Sequence, residues 1–148
     1  MKPTRFYALV LTVCTLFISM AANAEKVRIN AEARVFNPAI VYIQVGDTVS
    51  FDNMTSHNSV TYVTPDGAEG WRSQLGENLQ VTIDQEGIYG YVCEPHIGFG
   101  MVGVVVVGTV TEEMKEAALQ KARDTLEGPF RRLIGKLIKV EVPSEAGS

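Results

Sequence analysis

Cysteine and histidine are scarce, with two of each in 148 residues. Cys14 sits in an apolar N-terminal run, so Cys93 has no partner and a disulfide framework is excluded. Positive charge is also short. Thirteen Lys and Arg stand against 17 Asp and Glu, a formal charge of −4, which argues against nucleic acid as a partner. Past Met20 there is no apolar run of the about 20 residues that a bilayer span needs, so the exported chain is not expected to insert in a membrane. Internal repeats and low-complexity stretches are absent as well.

Residues 1–24 read as a cleaved signal peptide. Lys2 and Arg5 form a positive start, Phe6 to Met20 is apolar, and Ala22-Asn23-Ala24 is the small-x-small pattern of a cleavage site. Removal takes two basic residues and no acidic one, so the formal charge moves from −4 to −6. Cys14 leaves too. Export of this kind places the mature protein in the periplasm. Residues 25–142 then make one domain, large enough to bury a core without staples, and 143–148 make a loose tail.

From Glu25 to about Gly108 the apolar period is two. Val27, Ile29, Ala31, Ala33 and Val35 alternate with polar residues, which predicts one strand with a wet face. Further strands are expected at Ala39 to Val45, Thr48 to Phe51, Ser59 to Val63, Leu79 to Ile83, Ile88 to Cys93 and Met101 to Val107, with Asn37-Pro38, Gly46-Asp47, Pro65-Asp66-Gly67 and Glu86-Gly87 between them. Many short strands at close spacing predict an antiparallel β-sandwich.

After Gly108 the period becomes helical. Thr111 is placed to cap a helix that carries Glu112 and Glu113 in its first turn, with Met114, Ala118, Ala122 and Leu126 on one stripe and Gly128 at its end. Pro129 opens a second helix, whose apolar face is Phe130, Leu133, Ile134, Leu137 and Ile138. Both stripes are expected to pack on the sandwich and on each other.

Chemistry concentrates in Tyr91 to Met101, which reads Tyr-Val-Cys-Glu-Pro-His-Ile-Gly-Phe-Gly-Met. Cys93, His96 and Met101 put a thiolate, an imidazole and a thioether into one loop, and the other histidine, His57, follows the strand that ends at Phe51. Taken singly, such residues are ordinary core or surface. Together they are the donors of a trigonal His2Cys site with a long axial Met, which suits both Cu(I) and Cu(II). Zinc makes little use of a thioether.

At these residues the chain resembles the cupredoxins, the small blue copper proteins, and among them the pseudoazurins. Cys-x-x-His-x-x-x-x-Met ahead of a Val- and Gly-rich strand carries the resemblance, as do Val45-Gly46-Asp47-Thr48-Val49-Ser50-Phe51, Pro65-Asp66-Gly67-Ala68-Glu69 and two helices after the last strand. It implies a Greek-key β-sandwich with two C-terminal α-helices and one copper ion held by His57, Cys93 and His96, with Met101 as a weak axial ligand. It further implies that the Asn58 backbone N–H donates to the cysteine sulfur and that the Asn58 side chain ties the two ligand loops together. The family's partner in that tie is a hydroxyl residue. Here the position is Glu94, a departure that removes the usual partner.

The implied role is a periplasmic electron carrier, not an enzyme, that passes single electrons between redox proteins such as a c-type cytochrome or a copper nitrite reductase. A copper carrier or storage protein would use the same soft donors, and a cysteine hydrolase would need an orienting residue and an oxyanion hole that no motif supplies. The pseudoazurins ring the copper end with lysines. After residue 24 this chain has five, four of them beyond Gly108. With Glu94 two residues from His96, the expectation is a neutral or basic partner and poor docking of an acidic reductase.

Overall fold

The computed structural model describes residues 23–143. The signal-peptide reading falls almost wholly outside them, as does most of the tail. Among the described residues no helix is long and apolar enough to cross a membrane.

Eight strands form two four-stranded sheets. The first has the order β2 (Val35–Asn37), β1 (Lys26–Glu32), β4 (Thr48–Asp52), β6 (Leu79–Thr82), and the second β3 (Ile40–Ile43), β8 (Val102–Val107), β7 (Gly87–Val92), β5 (Val60–Val63). Helices α1 (Glu112–Thr125) and α2 (Arg132–Ile138) follow. The sandwich is mixed rather than purely antiparallel, because β1 pairs with β4 and β3 with β8 in parallel. These pairings arise where the chain crosses between sheets instead of turning back at a hairpin, a property that strand spacing does not encode.

The long first strand predicted from alternation is two. At Ala33 the backbone takes φ 49° and the chain reverses, so that Glu32 faces Val35 in an antiparallel pair. Alanine in a left-handed conformation costs about 1 kcal/mol and advertises no turn. The other strands lie where the alternation placed them, within one or two residues at each end.

Period two in β7 and β8 sorts their side chains onto two cores. Tyr89, Tyr91, Cys93, Val105 and Val107 face the interior of the sandwich with Ile29, Phe36, Val49, Phe51 and Trp71. Ile88, Val92, Val102, Val104 and Val106 face the opposite way, against Ala118, Leu119, Ala122, Leu133 and Leu137 of the helices. Both strands are therefore buried along their whole length, which explains the unbroken valine run. Leu133 lies so close to β7 that a Cβ at Gly90 would come within 2.8 Å of it.

Thr111 caps α1, its hydroxyl accepting from the Met114 N–H at 3.2 Å. The buried stripe of α1 includes Leu119, which the sequence analysis omitted, while Met114 is only partly buried. Pro129 opens a 3-10 turn, Gly128–Arg131, before α2 begins, and Ile138 is exposed rather than part of the apolar face.

Candidate metal centre

The cysteine loop is built by local rules. Pro95 sits at the start of a 3-10 segment, Glu94–Phe99, that begins as soon as Cys93 leaves β7. Gly100 ends it at φ 81°, where glycine is at ease, and its N–H donates to the carbonyls of His96 and Ile97. Gly98, in the same loop, has no positive φ. The Met101 N–H donates to the His96 carbonyl at 3.3 Å, and the His96 N–H to the Cys93 carbonyl at 3.2 Å. Three ligand candidates thus share one hydrogen-bonded turn.

His57 comes from the loop after β4. Its N–H donates to the Met54 carbonyl at 2.8 Å, and its own carbonyl accepts from Gly76 at 3.0 Å, which pins the loop on both sides. Behind it, Ser59 and Ser73 are buried and bonded to each other, and the Trp71 indole N–H donates to the Ser59 hydroxyl at 2.8 Å. The Trp71 to Gly76 segment is a buttress that sequence reasoning missed. Its polar partners are spread over too many residues to form a motif.

The structure brings the predicted donors together. His57 Nδ1 lies 3.6 Å from Cys93 Sγ, His96 Nδ1 lies 3.5 Å from the same sulfur, and the two ring nitrogens are 3.1 Å apart. His57 and Cys93 are buried, and His96 is half-buried. The point in the plane of this triangle equidistant from all three atoms is about 2 Å from each, the bond length of a first-row metal to imidazole and slightly less than that to thiolate. Three lone-pair donors converge on one spot. Met101 is wholly buried at the end of the same loop.

The electrostatics suit a bound cation. Burial lowers the His57 pKa, and the adjacent His96 lowers it further, so the ring is held neutral with its lone pair available. Burial pushes the Cys93 thiol up, while the nearby backbone N–H groups of Asn58 and His96 pull it in the opposite direction. A metal must therefore displace a proton from this thiol, and the two N–H groups then favour the thiolate.

The tie between the two loops is present although Glu94 stands in place of the usual hydroxyl. The Glu94 N–H donates to Asn58 Oδ1 at 2.8 Å, and Asn58 Nδ2 donates to Glu94 Oε2 at 2.8 Å. A carboxylate is an acceptor like the hydroxyl it replaces and reaches the same amide. Nor is the charge bare. Arg72 meets it with two bonds of 2.9 and 3.0 Å, and the Tyr62 hydroxyl donates at 2.7 Å. The Arg72 bond is the main reason the Glu94 carboxyl lies below the ordinary glutamate range. Sequence reasoning overlooked this pairing, because the segment carrying Arg72 lies alongside β5 through an isolated bridge to Val60 and scattered polar contacts rather than a strand ladder.

Residues 23–108 match the family model for copper binding proteins of the plastocyanin/azurin type. The chain belongs to that family. It is 36% identical over 108 residues to pseudoazurin from Paracoccus pantotrophus, a match covering 68% of this chain and 74% of that one. The crystal structure of pseudoazurin from Methylobacterium extorquens AM1 superimposes with a TM-score of 0.61 at 30% identity, over 72% of this chain and 90% of that one. Pseudoazurin from Hyphomicrobium denitrificans gives 0.63 at 26% identity, over 78% and 98%. This is a pseudoazurin-like cupredoxin, and copper is its cofactor. The donor triangle fits that ion, since a thiolate and two imidazoles are what a type 1 copper centre requires.

Proposed function

We propose that this cupredoxin is a periplasmic electron carrier in which His57, Cys93 and His96 hold one copper ion and Met101 closes the site as its axial donor. The observation that carries the reading is the triangle of Nδ1, Nδ1 and Sγ atoms that the two loops bring together. When bound, copper supplies a one-electron couple. The chain's own part is to hold the donors where neither oxidation state asks them to move. Cys93 N–H bonded to the Met101 carbonyl at 2.9 Å, Gly76 bonded to His57, and Asn58 bonded to Glu94 all serve that end. Burial of His57, Cys93 and Met101 keeps water away.

His96 is the half-buried ligand and so the port. Leu75, Pro95 and Phe99 are exposed around this end, and the Arg34 guanidinium lies 3.9 Å from the centre of the Phe99 ring. The fit is to a redox protein such as a c-type cytochrome or a copper nitrite reductase, docked through an apolar patch. Glu94 does not repel an acidic partner in the manner expected from sequence, because Arg72 cancels its charge. A storage protein would have little use for donors buried this deeply.

Absorption spectroscopy tests the reading. The copper(II)-loaded protein is expected to show an intense blue thiolate-to-copper band and to cycle reversibly between oxidised and reduced forms. A colourless copper adduct, or one that loses metal on reduction, would overturn it.

A further inference from the structure

Four side chains behind the cysteine loop form one closed arrangement. The Glu94 carboxylate accepts from Asn58, from Tyr62 and twice from Arg72, while its backbone N–H holds the other end of the Asn58 amide. Asn58 follows His57 directly, so the position of its side chain bears on the approach of that ligand. The arrangement continues outward. The Tyr62 ring stacks on Phe130 with centroids 4.8 Å apart, and the 3-10 turn that carries Phe130 packs against the Glu94–Phe99 segment. A line of contact therefore runs from the helical segment, through Tyr62 and Glu94, to the loops bearing His57 and Cys93.

A neutral hydroxyl after the cysteine would satisfy Asn58 and end there. A carboxylate has two oxygens and room for about four donors, and all the additional capacity is taken up by Arg72 and Tyr62. The Arg72 fork engages both oxygens at once, which fixes the plane of the carboxylate as well as its position. That plane decides where Oε2 meets Asn58.

Resting on the copper reading above, we propose that Arg72, Tyr62 and Glu94 form a positioning unit that locks the His57 loop to the Cys93 loop, so that a surface arginine outside the ligand set governs how firmly the metal is held. Arg72 touches no ligand atom. It acts by orienting Glu94, which orients Asn58, which sets the approach of His57 to the Cys93 loop.

Positioning and simple electrostatics predict opposite signs for one variant. Removing the positive charge of Arg72 would, by field alone, favour a bound cation and slow its loss. If Arg72 acts by positioning, its removal lets the loops separate and speeds loss.

The experiment measures release of copper from the loaded protein to an excess of chelator, together with the electron paramagnetic resonance spectrum of the copper(II) form. Arg72→Gln is expected to release copper about threefold to fivefold faster than the wild type, the range that loss of a partly exposed fork corresponds to, and to alter the copper hyperfine splitting. Tyr62→Phe should move both in the same direction by less. Glu94→Thr, which restores a hydroxyl for Asn58 but offers nothing to Arg72, should leave a second Arg72→Gln change without effect. The Arg72 side chain is largely exposed, so its replacement removes no core packing, and denaturation midpoints of the variants separate a loss of fold from an effect on the site. Release from Arg72→Gln that is unchanged or slower, with an unchanged spectrum, overturns the proposal. If the wild-type protein itself fails to give a blue copper site, the copper reading fails first, and the two failures are distinguishable.

Discussion

Cys93 donates its backbone N–H to the carbonyl of Met101 at 2.9 Å, one step beyond the Val92–Val102 pair that ends the β7–β8 ladder. The ladder thus continues under the ligand loop and sets the spacing of two sulfur-bearing residues from below. The seven residues between them are a cap on a sheet.

The ligand roles predict separable effects. Cys93→Ser should abolish the blue absorption, since a hydroxyl does not replace a thiolate as donor. Met101→Gln should keep the colour and lower the reduction potential, because a harder axial oxygen favours copper(II). Spectra and potentiometry of the two variants check this; persistent blue colour in Cys93→Ser would remove the cysteine from the site.

Tyr91 predicts a coupled pair of stabilities. Its hydroxyl is fully buried with no hydrogen-bond partner among the described residues, and hydroxyl and ring both face Gly103, where an added Cβ would collide with them. Gly103→Ala should destabilise by about 1–3 kcal/mol through overpacking. Tyr91→Phe removes an unpaired polar group and should be neutral or stabilising by about 1 kcal/mol. In the double variant most of the cost of the alanine should remain, because Cζ and Cε1 of the ring, which phenylalanine keeps, both lie within 2.8 Å of the added Cβ. Chemical denaturation of the four proteins gives the coupling.

Glu94 predicts a pH dependence. Its folded pKa is depressed, chiefly by the Arg72 hydrogen bond. A depressed carboxyl contributes stability that is fully present above the unfolded value, about 4.3, and is lost as pH falls through the folded one. The stability advantage of the wild type over Glu94→Gln should therefore be constant from neutral pH down to about 5 and shrink below about 4. Denaturation midpoints of the metal-free proteins across this range decide it, and a difference that does not change with pH counts against the pairing.

Docking through an apolar port predicts a weak response to salt. Electron transfer with a c-type cytochrome should change by less than about threefold between low and physiological ionic strength, because Leu75, Pro95 and Phe99 form an exposed apolar rim at this end and the nearby Glu94 is paired with Arg72. Phe99→Ala should slow it more than Arg34→Gln does. Stopped-flow rates at several salt concentrations distinguish this from charge-steered docking, in which the order of the two variants would reverse.

The donor set was legible because it is a matter of residue type and local spacing. One thiolate, two imidazoles and a loop with proline and glycine in the right places point to one chemistry, and the chain offers no other histidines to confuse the choice. Strand positions were legible for a similar reason, since alternation is local. The parallel pairs β1–β4 and β3–β8 were not, because register between distant segments leaves no mark on either. The left-handed Ala33 was hidden by a residue that usually avoids that conformation. Glu94 shows a further limit. Its charge was plain in the sequence, but its neutralisation needed Arg72 to be carried across by an isolated bridge to Val60 and scattered polar contacts.

The valines of β8 have a consequence for the C-terminal third of the chain. Val102, Val104 and Val106 are covered only because α1 and α2 lie over that face. A shortened form ending at Gly108 would keep every copper donor, yet it would present a bare β-branched strip of high strand propensity and no charge. Such a strip favours sheet-to-sheet association between molecules. The helices are in that sense a permanently attached chaperone for the strand that follows Met101.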